Sequence, residues 1–344
     1  MKSARFVSAT VLIVVLLLAT LLGGVLIGTA QIPARVGAGA LAKALGFPVA
    51  TTWRPWVDTI IVDVRLPRVI VAALIGSALA VAGTALQGIF RNPLADTGVL
   101  GVSAGASLGA VISIYCGLAA TTMWALPAFS FIGATITTLA VYAVATRRGH
   151  TPVGTLLLSG IAIGSLCVAL SSGILSLALK NFEVGKMLVY WMLGGLDGRT
   201  WDHVRIVAGP TLIGTAIIAM HARELDAMLL GEVHASSIGV NVLAVRRRLI
   251  VATSLITGAA VAVSGTIGFV GLVVPHILRL ILGPAHGRLL PVVALSGAVF
   301  VLLADMVART LIAPEEIRLG VVTSVVGAPF FLWLLAKKRV EAVI

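Results

Sequence analysis

The sequence predicts an all-α integral membrane protein of about ten transmembrane helices, and three observations carry that prediction. Of its 344 residues, 59% are hydrophobic and only 11% charged, whereas a soluble domain carries about 25% charged residues. Mean hydropathy is +1.10. The apolar residues gather into runs near the ~20 residues that cross a bilayer as a helix, with short polar stretches between them. The formal charge of +12 is dispersed between these runs and builds no basic face with interleaved aromatics, so no nucleic-acid partner is expected. Cys116 and Cys167 each sit inside an apolar run and are expected to be small buried hydrophobes rather than disulfide or metal ligands.

The first run, residues 6–29, follows Lys2 and Arg5 and imitates a secretory signal ending in Gly28-Thr29-Ala30. It exceeds the usual h-region of roughly 7–15 residues and is long enough to span, so a retained first helix is expected. The second, 69–90, places Ala72, Gly76, Ala80, Thr84 and Gly88 at four-residue spacing, and the third, 98–118, does the same with Gly101, Gly105 and Gly109. Such stripes let backbones approach closely. The fourth and fifth runs are 123–145 and 153–179, the latter with Gly160 and Gly164; the sixth and seventh are 204–220 and 249–267. The eighth, 268–282, is short and interrupted by Pro275, with His276 and Arg279 beyond it, a pattern shared by re-entrant segments. Residues 289–307 and 320–335 complete the set. If all cross and the N-terminus is cytoplasmic, the cytoplasmic segments hold Lys2, Arg5, Arg91, Arg147, Arg148, Arg223, Arg246, Arg247, Arg248, Arg279, Arg288, Lys337, Lys338 and Arg339. These segments are mostly short, as the positive-inside rule requires, and dropping the eighth crossing would strand the last three cations outside. Both termini are therefore expected in the cytoplasm.

An internal repeat is visible, because Gly76-Ser77-Ala78-Leu79-Ala80-Val81-Ala82-Gly83-Thr84 aligns with Gly258-Ala259-Ala260-Val261-Ala262-Val263-Ser264-Gly265-Thr266. The copies lie five spans apart and so run in opposite directions, the inverted repeat of many transporters. Two Ala/Gly/Val-rich helices can also align by chance.

Of the acidic residues only Asp305 lies within a span, and Arg309 one helical turn away is its natural partner. An ion-coupled carrier needs intramembrane carboxylates or unwound helices to hold the ion. No G-x-x-x-x-G-K-[ST] phosphate loop occurs, and Gly37-Ala38-Gly39 followed by Ala42 has no strand before it. The histidines lack ligand spacing and no Ser, His and Asp set stands out, so no catalytic residue and no metal site is assigned. Energy for active transport must then enter from a partner. The segment 222–248, which contains Leu230, Gly231, Glu232, Ala235, Ile238 and Gly239, reads as two short helices with glycine corners. Its helical alternation of apolar and polar residues fits a docking surface or a membrane-skimming element.

The residues resemble the FecCD-type permeases of binding-protein-dependent ABC importers for iron siderophores, haem and cobalamin. Arg65-Leu66-Pro67-Arg68, Gln87-Gly88-Ile89-Phe90-Arg91-Asn92-Pro93-Leu94-Ala95-Asp96 and Leu100-Gly101-Val102-Ser103-Ala104-Gly105-Ala106 carry the likeness in the first half. Leu230-Gly231-Glu232, Gly268-Phe269-Val270-Gly271-Leu272-Val273-Val274-Pro275-His276, Ala304-Asp305-Met306-Val307-Ala308-Arg309 and Gly327-Ala328-Pro329-Phe330-Phe331 carry it in the second. The resemblance implies a type II ABC importer permease: residues 1–344 as one transmembrane domain of a homodimer in a bacterial inner membrane. It further implies two cytoplasmic ATPase subunits docked through 222–248 and a periplasmic substrate-binding protein. ATP and Mg would sit on the partner ATPases, with no cofactor in this chain. Arg65, Arg68 and Arg309 match family arginines that receive glutamates of the binding protein, a charge-assisted contact. Asn92, Leu94, Val153 and Gly154 match a cytoplasmic constriction, with Val and Gly replacing the polar pair usual at the last two positions.

An ion-coupled secondary transporter is the alternative, since inverted repeats occur there too. An intramembrane enzyme is a third reading, against which the lack of a nucleophile or metal constellation weighs.

Overall fold

The computed structural model describes residues 2–93, 95–98, 100–146 and 152–341. Among them every regular element is helical: α1 (Lys2–Leu26), α2 (Ala34–Ala44), α3 (Trp56–Thr59), a π-helical stretch (Ile60–Arg65), α4 (Leu66–Phe90), α5 (Val102–Tyr115), α6 (Ala125–Ala145), α7 (Val153–Ala178), α8 (Phe182–Met192), α9 (Trp201–Met220), α10 (Ala222–Leu229), α11 (Glu232–Ser237), α12 (Val242–Ser264), α13 (Val270–Leu282), α14 (His286–Thr310) and α15 (Leu319–Glu341). A short 3-10 turn follows α5 at Leu118–Ala120. Seven of the described helices are long and apolar enough to cross a membrane, and α5, α13 and the Leu319–Trp333 part of α15 are shorter apolar helices. Each apolar run in the sequence falls on its own helix. Arg147 and Arg148 lie outside the described residues. Cys167 is buried as expected, whereas Cys116 is exposed.

The α4 helix is the axis of the bundle, buried along nearly its whole length and packed by α9, α12, α13 and α14. Its stripe of small residues makes this possible. A Cβ on Gly76 would lie 2.1 Å from the carbonyl oxygen of Gly297 on α14, and one on Gly83 would lie 2.0 Å from that of Gly271 on α13. Backbone therefore touches backbone at both crossings, which only glycine permits.

The eighth apolar run forms an unbroken helix, α13, in spite of Pro275. Proline has no N–H to give the carbonyl four residues earlier, that of Gly271. Gln87 Nε2 donates to this oxygen instead, at 3.1 Å. A side chain of α4 thus satisfies the acceptor that the proline leaves open, as a buried apolar setting demands.

Packing is mirrored between the two halves of the chain: α4 lies against α13 and α14, and α12 lies against α5 and α6. Two other surfaces differ in character. The α1 helix exposes Val11, Leu12, Val15 and Leu18, a face suited to lipid. The α7 helix buries Leu156, Gly160, Gly164, Cys167 and Ser171, while its opposite face exposes Ala162, Ser165, Ala169, Ser172 and Ser176. Leu158, at 73% exposure, shares that face, and Ile161 and Leu166 flank it, so small and polar residues alternate there with large aliphatic ones, unlike the aliphatic face of α1.

Candidate functional site

At one end of the bundle, the start of α4 and the end of α14 bring Arg65, Arg68 and Arg309 together. All three are turned inward, with exposures of 4%, 8% and 3%. Arg68 holds Asp305 through Nε and Nη2, at 3.1 and 2.9 Å, and grips Glu316 through Nη1 and Nη2, at 3.0 and 2.7 Å. Arg309 Nε lies 3.0 Å from Asp305 Oδ2, and its Nη atoms donate to the carbonyls of Ile27 and Gly24 at 3.2 and 3.1 Å. Arg65 donates to the carbonyls of Val25 at 3.0 Å, Leu26 at 2.8 Å, and Ala30. Two arginines thereby serve the carbonyls at the end of α1, where unpaired acceptors and the negative end of the helix dipole favour a cation. Buried guanidinium groups require such full pairing. Three cations against two carboxylates leave one net positive charge. The Asp305–Arg309 pair follows from the sequence; the sharing of Asp305 with Arg68 and the fork on Glu316 join residues distant in the chain and had no local signal.

At the opposite end, the segment after α9 is two short helices, α10 and α11, with backbone corners at Gly231 (φ +116°) and Gly239 (φ +89°). The α10 helix buries Ala222, Leu225 and Met228 at three-residue spacing and packs on α4 and α14. Asp226 accepts from both the backbone N–H and Nδ1 of His286, at 2.8 and 2.7 Å. Glu232 pairs with the buried Arg246 of α12, and Ala235 is buried. Leu230, Val233 and Ile238 point outward, with Val233 87% exposed. The residues singled out in this segment thus divide by role: Gly231 and Gly239 shape it, Glu232 and Ala235 anchor it, and Leu230 and Ile238 face out. Val233 was missed; the signal was a large aliphatic alone among Glu232, His234, Ala235, Ser236 and Ser237.

Beside this segment, Arg279 Nη1 donates to Gln87 Oε1 at 2.6 Å and Nη2 to the Thr84 carbonyl at 3.2 Å, knitting α13 to α4. Asn92 follows Arg91, whose left-handed backbone (φ 48°) ends α4. Val153 and Gly154 open α7 after Pro152, and a Cβ on Gly154 would meet nothing within 4 Å. Leu94 lies outside the described residues.

The FecCD transport family model matches residues 9–337. The chain is 38% identical to the cobalamin import system permease protein BtuC of Halobacterium salinarum, over 99% of each chain. It is 42% identical to the hemin transport system permease protein HmuU of Yersinia pestis, over 83% of this chain and 84% of that one. Among solved structures, one assigned to the metal-chelate type of ABC transporter, in an inward-facing conformation, superposes with a TM-score of 0.82 at 28% identity, covering 95% of this chain and 98% of the other. With the family model matched over residues 9–337 and one relative aligned over 99% of both chains, this chain belongs to the FecCD transport family, as a multi-pass membrane permease of an ABC importer.

Proposed function

We propose that the chain forms the route by which an ATP-driven importer carries a large metal-centred organic complex, namely an iron chelate, haem or cobalamin, across the cytoplasmic membrane. The partner-facing segment carries this reading. It combines an exposed apolar trio, Leu230, Val233 and Ile238, with a direct bond from Asp226 to the transmembrane core. Asp305, which an ion-coupled carrier would need free, is instead consumed by Arg68 and Arg309.

The apolar helices cross ten times in this reading, so that both termini and the α10–α11 segment are cytoplasmic and the arginine end faces outward. The mirrored packing of α4 and α12 supports an inverted repeat. Two copies pair so that the α7 face carrying Leu158, Ser165, Ser172 and Ser176 lines the pathway. Each copy docks one ATPase, which binds ATP and Mg. A soluble binding protein docks at the arginine end, where a partner carboxylate competes with Glu316 for Arg68. Asn92, Leu94, Val153 and Gly154 form the constriction at the cytoplasmic end.

The test is reconstitution with the cognate ATPase and binding protein in proteoliposomes. ATP-dependent uptake of a ferric chelate, haem or cobalamin supports the reading, and uptake driven by an ion gradient without ATP defeats it.

A further inference from the structure

At the arginine end, α8, the connection to α9 and the start of α15 border an open cavity of about 370 Å³ whose wall includes Glu183, Lys186, Tyr190, Asp197, Arg199 and Arg318. Most of its charges are spoken for. Arg318 Nη1 donates to Asp197 Oδ1 at 2.9 Å, and the same guanidinium stacks on the Tyr190 ring with its carbon 4.0 Å from the centroid. Lys186 Nζ lies 6.0 and 5.7 Å from the ring centroids of Phe182 and Tyr190.

Besides the exposed Glu183, Arg199 is the exception. Its Nε is buried, and no acceptor among the described residues pairs with it. Burial lowers its pKa from the ordinary arginine value, the attraction of Asp197 opposes this, and the like charges of Arg68 and Arg318 add to the lowering. The buried Trp191 in the same wall also has an indole N–H with no acceptor. Both buried, unpaired groups are therefore donors, in a wall where three cations face two carboxylates. Arg199 is half-buried and competes with Arg318 for the charge of Asp197, so its own charge is only partly balanced, and an entering anion completes the balance.

We infer that this cavity is a binding site for a carboxylate of the transported molecule, held by Arg199 with Arg318 and Lys186 beside it. The inference rests on the importer reading above. Planar guanidinium forks match a carboxylate, which accepts two parallel hydrogen bonds. The adjoining residues Met192, Leu193, Thr266, Gly320 and Val325 line a second cavity of about 360 Å³. Together they offer a cationic anchor and a less polar seat beside it, suited to an organic anion rather than a bare inorganic ion.

The experiment uses the full-length permease in lipid nanodiscs, titrated calorimetrically with tricarballylate, a tricarboxylate, and with its neutral trimethyl ester. The acid should bind saturably and the ester should not. Arg199→Gln should weaken binding by about tenfold or more, the order expected when a charge-assisted hydrogen bond is lost, and Arg199→Lys should restore part of it. Should Arg199→Gln melt earlier than the wild type, Arg318→Gln tests the same wall. No saturable binding, equal binding of acid and ester, or full binding by Arg199→Gln overturns the site. A failure confined to this site leaves ATPase association and ATP-driven uptake of an uncharged cargo intact, whereas a permease with no ATPase partner fails the importer reading itself.

Discussion

Asp226 accepts both the backbone N–H and the Nδ1 proton of His286, at 2.8 and 2.7 Å, so the α10–α11 segment is bonded to the first residue of α14. The other end of that helix holds Asp305 and Arg309. A helix of 25 residues is about 37 Å long at 1.5 Å per residue. One rigid element therefore joins the surface proposed to receive the ATPase to the arginine cluster at the far end.

Removing the bond should separate hydrolysis from transport. Asp226→Ala leaves two buried donors of His286 without an acceptor, a loss of roughly 1–3 kcal/mol. The variant should keep its ATPase partner and hydrolyse ATP, yet lose most substrate uptake, with Asp226→Asn milder because its carbonyl still accepts. Paired measurements of hydrolysis and uptake in proteoliposomes decide this; unchanged uptake by Asp226→Ala would refute it.

Asp305 should matter more to stability than Glu316, although both bind Arg68. Asp305 is buried between two arginines, and its replacement by alanine leaves both under-compensated, a loss of about 3–5 kcal/mol. The Glu316 side chain is 27% exposed, so solvent takes over much of what Glu316→Gln removes. Thermal unfolding in nanodiscs should place Asp305→Ala well below Glu316→Gln.

Glycine replacements should separate by what lies opposite. Gly76→Ala drives a methyl into the Gly297 carbonyl and must push α4 from α14, costing about 1–3 kcal/mol. Gly173 in α7 has nothing within 4 Å of an added Cβ, and alanine there gains up to ~1 kcal/mol of helix propensity. The two variants should shift the melting temperature in opposite directions.

In the α10–α11 segment, Val233→Asp should weaken ATPase attachment without altering the fold, because the side chain is 87% exposed. Glu232→Lys should also weaken it by another route, setting a lysine beside Arg246 and unseating α11. Pull-down of the ATPase compared with melting temperature tells the routes apart: Val233→Asp moves only the first, Glu232→Lys both.

The spans were legible because lipid and a packed helical core both select for apolar length, and the stripes at Gly76 and Gly105 pointed to the close crossings. The glycine corners around α11 were legible for a local reason, since Gly231 and Gly239 take backbone angles that other residues resist. The facing of side chains was not. Arg65, Arg68 and Arg309 stand where basic residues read as exposed, and only the three-dimensional meeting of α1, α4, α14 and Glu316 shows them buried. The Asp226–His286 bond spans 60 positions, so periodicity carries no trace of it. The eighth run looked broken at Pro275 because the compensating donor, Gln87, lies on another helix.

The most direct measurement is affinity purification of the chain from its native membrane in mild detergent, with identification of what accompanies it and an assay of ATP hydrolysis. Co-elution of a nucleotide-binding subunit with vanadate-sensitive hydrolysis, diminished by Val233→Asp, is the predicted result. A chain that purifies alone, is inert toward ATP and transports on an ion gradient would contradict it.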